Sequence, residues 1–122
     1  MSFQSTFFRS VKHALAGIRY TLREERNFQL EIIAAVLVLI AAFFFPLTTI
    51  ERLVILLLIG VVLSLELFNT AFERLLDMLK PRIHPYVKVV KDVVAGAVLL
   101  VSVVALVVGL TLFVPYIWAF LW

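Results

Sequence analysis

The stretch that decides the fold is LVILLLIGVVLSLELFNTAFERLLD, residues 53–77. It begins as a membrane-spanning helix would, but its apolar run ends after 13 residues, at Glu66. A helix needs about 20 predominantly apolar residues to cross a bilayer. Because the helical pattern continues to about Leu79, the stretch predicts one long helix with an apolar first half and a polar second half.

Two further apolar stretches flank this one. The first covers residues 32–45 and stops at Pro46, a residue that helix interiors rarely admit. The other covers residues 93–114, and Pro115 is predicted to end it. The chain has 122 residues, of which 64% are apolar, and a mean hydropathy of +1.12. Such a composition excludes an ordinary soluble domain.

We therefore predict a single domain over residues 1–122, an all-α integral membrane unit with three spans at about 28–46, 49–79 and 88–114. The pair Thr48-Thr49 is expected to supply the N-cap of the second span, with Glu51 favouring its first turn. The chain contains no cysteine, which excludes disulfides and thiolate chemistry.

The basic residues are distributed unequally along the chain. The group that precedes the first apolar run consists of Arg9, Lys12, Arg19, Arg23 and Arg26. The group between the second and third runs consists of Arg74, Lys80, Arg82, Lys88 and Lys91. The link between the first two runs carries only Arg52. Under the positive-inside rule, this bias predicts that the N-terminus and the second loop are cytoplasmic.

The segment at about 3–24 has its own pattern. Its apolar residues recur at helical spacing: Phe3, Phe7, Phe8, Val11, Leu15, Ile18 and Leu22. The basic residues lie largely on other faces of the helix. The pattern fits a basic amphipathic helix on the inner leaflet. It fits equally an ordinary helix that packs against the bundle.

Polar residues of the second span form a stripe. Glu66, Asn69, Glu73 and Asp77 fall within an arc of roughly 80° at about 100° per residue. Glu66 follows the apolar run, and an ionised carboxylate at the bilayer centre costs about 2.5–3.5 kcal/mol. This cost predicts a functional site around Glu66 and Asn69. For Asp77 and its neighbour Arg74, simple emergence into water is an equally good explanation.

Other ionisable residues are expected at the same depth. Glu25 and Glu31 begin the first span, and Lys91 and Asp92 begin the third. Carboxylates can hold a divalent cation, and a lysine beside them suits phosphate. Glu66 could then act as general base toward a lipid hydroxyl. The sequence contains no glycine-rich phosphate loop and no zinc motif.

Two blocks carry a family resemblance: Glu66-x-x-Asn69-Thr70-Ala71-x-Glu73-x-x-x-Asp77 and Lys91-Asp92-x-x-Ala95-Gly96-Ala97-Val98. With Ala16-Gly17-Ile18 and Glu24-Glu25-Arg26-Asn27-Phe28 upstream, the chain resembles the prokaryotic diacylglycerol kinase family, which includes the undecaprenol kinases. The resemblance implies a homotrimer of three-span subunits, each with an N-terminal surface helix, in the bacterial plasma membrane. It also implies transfer of the γ-phosphate of MgATP to a lipid alcohol at the cytoplasmic interface.

The resemblance implies roles for individual residues. Glu66 is the expected catalytic base, and Glu25 and Glu73 are the expected ligands of the ATP-bound Mg²⁺. Lys91 corresponds to a phosphate-binding lysine. Asn69 and Asp92 are expected to be polar residues of the nucleotide site. Glu31 and Asp77 are expected to be supporting carboxylates. His13, on the surface helix, stands where some members contact the nucleotide.

The lipid substrate is indicated less directly. Residues 25–28 and the pair His84-Pro85 look more like undecaprenol kinases, whereas Glu31 looks more like diacylglycerol kinases. We favour undecaprenol. Arg82 stands where some members have an acid, so nucleotide contacts from the loop around Arg82 and His84 are left open.

Two other classes of protein could carry a membrane carboxylate. A small ion or proton transporter would need a polar path to the outer side, but the outer half of every span is nearly uniform in apolar residues. A non-catalytic assembly subunit would explain three spans. It would not explain acids on all three spans at one depth, which favours the enzyme.

Overall fold

The computed structural model describes residues 2–79 and 85–122. Their regular structure is entirely helical: α1 Phe3–Glu24, α2 Arg26–Phe44, α3 Thr49–Met78 and α4 Pro85–Leu121. The last three are long and apolar enough to cross a membrane. The expected all-α architecture with three candidate spans is confirmed. The loop residues Arg82 and His84 lie outside the described residues.

A single residue joins the first two helices. Glu25 ends α1 and precedes α2 in an extended conformation, and its backbone N–H donates to the carbonyl of Thr21. The side chain of Gln29 donates to the carbonyl of Leu22 at 2.9 Å, which satisfies a carbonyl left free at the end of α1. The side chain of Glu25 caps neither helix, so it is available to another element.

Side chains cap both helix ends that meet in the connection between α2 and α3. Thr48 and Glu51 form a capping box at the start of α3, as the sequence predicts for this N-cap. Arg52 donates from Nε to the carbonyl of Ala42 at 2.9 Å and from Nη2 to that of Phe45 at 3.3 Å. A cation is therefore held at the C-terminus of α2, where the helix dipole favours it.

The expectation that Pro115 ends the third span is wrong, because α4 continues through Pro115 to Leu121. Proline removes the N–H that would bond to the carbonyl of Thr111. Contacts beyond it hold the last turns in place. Tyr116 donates to Glu51 Oε1 at 2.7 Å, and the ring of Phe120 meets that of Phe44 edge to face at 5.5 Å.

Helix α3 is the centre of the bundle and packs against each of the other three helices. Near the end of α2, the rings of Phe44 and Phe45 meet those of Phe113 and Phe120 on α4. We call this the aromatic end, and the opposite end, which carries Glu25, Glu66 and Glu73, the acidic end. Few apolar side chains among the described residues are buried, whereas many large ones are exposed on every helix.

Candidate active site

The buried carboxylate of α3 is the centre of the acidic end. Glu66 is only 3% exposed, and Thr70, one turn further along, is equally buried. Asn69 follows Glu66 by three residues on the same face of α3, and its Oδ1 is buried without a hydrogen-bond partner among the described residues. Glu73 lies two turns beyond Glu66 on the same face of α3. Glu66, Asn69 and Glu73 therefore line one face of α3, with Glu66 as its buried member.

Glu25 approaches α3 from the joint between α1 and α2, at Arg74. Its Oε1 accepts a hydrogen bond from Arg74 Nη2 at 2.6 Å, and its side chain is only 20% exposed. Arg74 also donates from Nε to the hydroxyl of Tyr20 at 2.9 Å. Arg74 thus ties α1, the joint and α3 together.

The residues expected from the third span are placed differently. Lys91 Nζ donates to Asp77 Oδ1, which links α4 to the end of the α3 stripe. Asp92 pairs with Lys88 one turn away on its own helix, at 3.1 Å, and both side chains are largely exposed. Within one chain, Lys91 is therefore joined to the stripe, whereas the ion pair of Asp92 stays on α4.

A cavity of about 600 Å³ lies between α1 and α3. Its lining includes His13, Tyr20 and Arg74, together with the buried Thr70. The hydroxyl of Thr70 is buried and makes no hydrogen bond with any described residue. Such an orphaned group is a position at which a bound molecule can supply the missing partner. The structure brings His13 to the same cavity as Arg74.

A second cavity, of about 550 Å³, runs between α2, α3 and α4. Its lining is almost wholly apolar, from Glu31 at one extreme to Phe113 and Ile117 at the other. Glu31 Oε2 is buried without a hydrogen-bond partner among the described residues, and Glu31 lies near Glu66. Glu31 therefore belongs to the acidic end but faces a different cavity from His13.

The fit of a metal ion can be judged from the carboxylates. No three acidic or histidine side chains of the described segments converge closely enough to hold a metal ion by themselves. Mg²⁺ that is bound together with a nucleotide needs only one or two carboxylates, because phosphate oxygens and waters complete its coordination. Glu25 and Glu73 would be the carboxylates available to such a shared ion, and Asn69 Oδ1 is a buried oxygen without a hydrogen-bond partner among the described residues.

Sequence reasoning missed two members of this arrangement. The contact between Tyr20 and Arg74 joins residues 54 positions apart, and no local pattern indicates it. Thr70 was part of the quoted motif, but only the packing of α1 on α3 shows that its hydroxyl is buried beside a cavity. For Arg74 the sequence left emergence into water and a place in the site equally open, and the structure pairs Arg74 with Glu25.

Comparison with known proteins gives concordant results. The sequence model of the family "Prokaryotic diacylglycerol kinase" matches residues 12–113. An undecaprenol kinase from Bacillus subtilis is 47% identical over 109 residues, which cover 89% of this chain and 89% of the relative. A diacylglycerol kinase from Synechocystis sp. is 37% identical over 107 residues, which cover 87% of this chain and 61% of that protein.

Proposed function

Because the chain belongs to the prokaryotic diacylglycerol kinase family, we propose that it transfers the γ-phosphate of MgATP to a membrane lipid alcohol. A family of kinases accounts for the acidic end better than the transporter or assembly-subunit hypotheses. The observation that carries the proposal is Glu66, a carboxylate that is 3% exposed on a membrane-length helix. Burial of this kind is costly and marks functional positions in membranes.

Glu66 is the proposed general base. It accepts the proton of the lipid hydroxyl as the hydroxyl oxygen attacks the γ-phosphorus of ATP, and ADP leaves with the electron pair of the broken P–O bond. Glu66 follows the apolar first half of α3, so a hydroxyl held at the edge of the hydrocarbon can reach it. Asn69, one turn further along the same face of α3, is proposed to orient the carboxylate.

The nucleotide is proposed to bind on the side of the acidic end that faces α1. Glu25 and Glu73 would hold Mg²⁺, which would supply positive charge to offset that of the nucleotide's phosphates. Lys91 donates to phosphate, with Asp77 holding its ammonium group in place. His13 contacts the nucleotide from the cavity between α1 and α3. Asp92 completes the nucleotide site, and Glu31 supports the site next to Glu66.

Undecaprenol is the proposed acceptor. The B. subtilis relative is named an undecaprenol kinase, and its similarity extends over 89% of both chains. The relative named a diacylglycerol kinase is less similar, and this chain covers only 61% of its length. Because apolar contacts discriminate weakly between lipids, diacylglycerol is retained as the alternative acceptor.

The setting of the reaction is part of the proposal. The apolar residues of α1, from Phe3 to Leu22, are exposed, which fits a helix lying on the inner leaflet. The distribution of basic residues puts this helix and the acidic end at the cytoplasmic face of the bacterial plasma membrane. The exposed apolar faces of α2, α3 and α4 suit contact with lipid and with two further copies in a homotrimer.

The test is a phosphorylation assay with both lipids. Purified protein in mixed micelles receives radiolabelled MgATP with undecaprenol or with diacylglycerol at equal mole fraction. The proposal expects label in the lipid phase, more of it with undecaprenol, and none when a chelator removes the divalent ion. Transfer to neither lipid would overturn the proposed function. Preferential transfer to diacylglycerol would overturn only the choice of acceptor.

A further inference from the structure

The proposed metal ligand Glu25 is already in contact with a cation. Arg74 Nη2 lies 2.6 Å from Glu25 Oε1. The same guanidinium donates from Nε to the hydroxyl of Tyr20 at 2.9 Å, and its carbon lies 5.8 Å from the centre of the Tyr20 ring. These contacts fix the guanidinium against Glu25 from two directions.

No other proposed base or metal ligand has such a partner in residues 2–79 and 85–122. The remaining ion pairs join Lys88 to Asp92 and Lys91 to Asp77. Among the described residues, Arg74 is therefore the cation that pairs with a proposed metal ligand. Like charges gathered at a buried position raise the free energy of the folded chain unless a cation offsets them.

A metal ion and Arg74 cannot share Glu25 without cost. Mg²⁺ binds a carboxylate oxygen at 2.0–2.1 Å, so an ion on Glu25 Oε1 would lie within about 5 Å of the guanidinium nitrogen. At such distances two cations repel strongly where water is partly excluded. Tyr20 offers Arg74 an alternative, because neither its hydroxyl nor its ring contact involves Glu25.

We propose that Arg74 is a built-in counter-ion, a positioning residue that occupies Glu25 in the metal-free chain and is displaced from it when the divalent ion binds. The inference rests on the proposed role of Glu25 as a metal ligand. Arg74 stabilises the carboxylate cluster before the metal arrives and makes metal binding weaker than the carboxylates alone would make it. After displacement, Arg74 stays bound to Tyr20.

The test is the binding of Mn²⁺ to the intact protein in detergent micelles that contain one equivalent of a non-hydrolysable ATP analogue and no lipid, because phosphate oxygens complete the coordination of an ion held by one or two carboxylates. Electron paramagnetic resonance measures the free Mn²⁺ during a titration. Arg74→Gln should lower the Mn²⁺ dissociation constant about fivefold, since a partly exposed ion pair that competes for the ligand is removed. Lys88→Gln is the matched control, because it removes an exposed cation from the same end of the bundle, and it should change the constant less than twofold.

Three outcomes separate the two proposals. If Glu25→Gln and Glu73→Gln both bind Mn²⁺ as tightly as the parent protein, the metal role in the proposed function is wrong. If those variants bind more weakly but Arg74→Gln binds Mn²⁺ no tighter than the parent, the counter-ion proposal alone is overturned. Tighter binding in Arg74→Gln, with weaker binding in the two glutamate variants, supports both.

A second variant covers the case in which Arg74→Gln does not fold, as judged by circular dichroism. Arg74→Lys keeps the charge, but its ammonium group lacks the planar fork that reaches Glu25 and Tyr20 together. Its Mn²⁺ dissociation constant should lie between those of the parent protein and of a chain without the cation. A constant equal to or higher than that of the parent would overturn the proposal.

Discussion

The contacts of Arg52 with the end of α2 give a quantitative prediction of stability. Arg52→Met keeps most of the aliphatic stem but removes both donors to the C-terminal carbonyls of α2, at 2.9 and 3.3 Å. One of these carbonyls belongs to Ala42, which is 1% exposed, so water cannot easily replace the lost donor. Each hydrogen bond contributes about 1 kcal/mol net, and the contact of the guanidinium with the Phe43 ring adds about 0.5–1. The expected loss of unfolding free energy is about 2–3 kcal/mol.

The assay is equilibrium unfolding in mixed micelles, in which a denaturing detergent is added stepwise to protein in a mild one. Circular dichroism follows helix content, and the fluorescence of Trp118 and Trp122 reports on the aromatic end. Arg9→Met is the matched control, because Arg9 is exposed on α1 and makes no ion pair or hydrogen bond with another described residue. A loss below about 0.5 kcal/mol for Arg52→Met, within the range of ordinary surface substitutions, would refute the capping role of Arg52.

Three further predictions concern the same kind of measurement. Thr48→Ala removes the side-chain acceptor of the capping box and should cost about 1 kcal/mol of unfolding free energy; an unchanged midpoint in the detergent titration would contradict this. Tyr116→Phe removes the 2.7 Å hydrogen bond to Glu51. It should lower the melting temperature in mild detergent and leave kinase activity within twofold. Equal melting temperatures would show that this bond does not hold the turns after Pro115. Lys88→Ala breaks only the exposed pair with Asp92 and should leave the melting temperature unchanged; a clear fall would mean that the pair is more than a surface contact.

The helices could be predicted because their signals are local. The apolar runs, the cap at Thr48 and the interruption at Pro46 each lie within a few residues of the feature that they determine. Pro115 misled the prediction because what holds the helix beyond it is tertiary. The partners of Tyr116 and Phe120 come from residues 65 and 76 positions away in sequence, and local propensity contains no information about them.

The acidic stripe of α3 was predictable because helical geometry alone puts Glu66, Asn69 and Glu73 on one face. The burial of Glu66 agrees with the cost argument drawn from its position after the apolar run. The partners of Glu25 and Lys91 were not predictable from spacing. Each pair joins different helices, and its geometry depends on how α1 and α4 pack against α3.

The central claim is that the buried Glu66 is the base of a lipid kinase, and the most direct test is the rate of lipid phosphorylation by Glu66→Gln. Glutamine keeps the size of the side chain but cannot accept the proton, so turnover should fall by about 10²–10⁴-fold, with helix content and nucleotide binding retained. Glu24→Gln, a change of the same kind at an exposed residue of α1, should retain turnover. If Glu66→Gln phosphorylates lipid within tenfold of the parent rate, Glu66 is not the base and the account of the site is wrong.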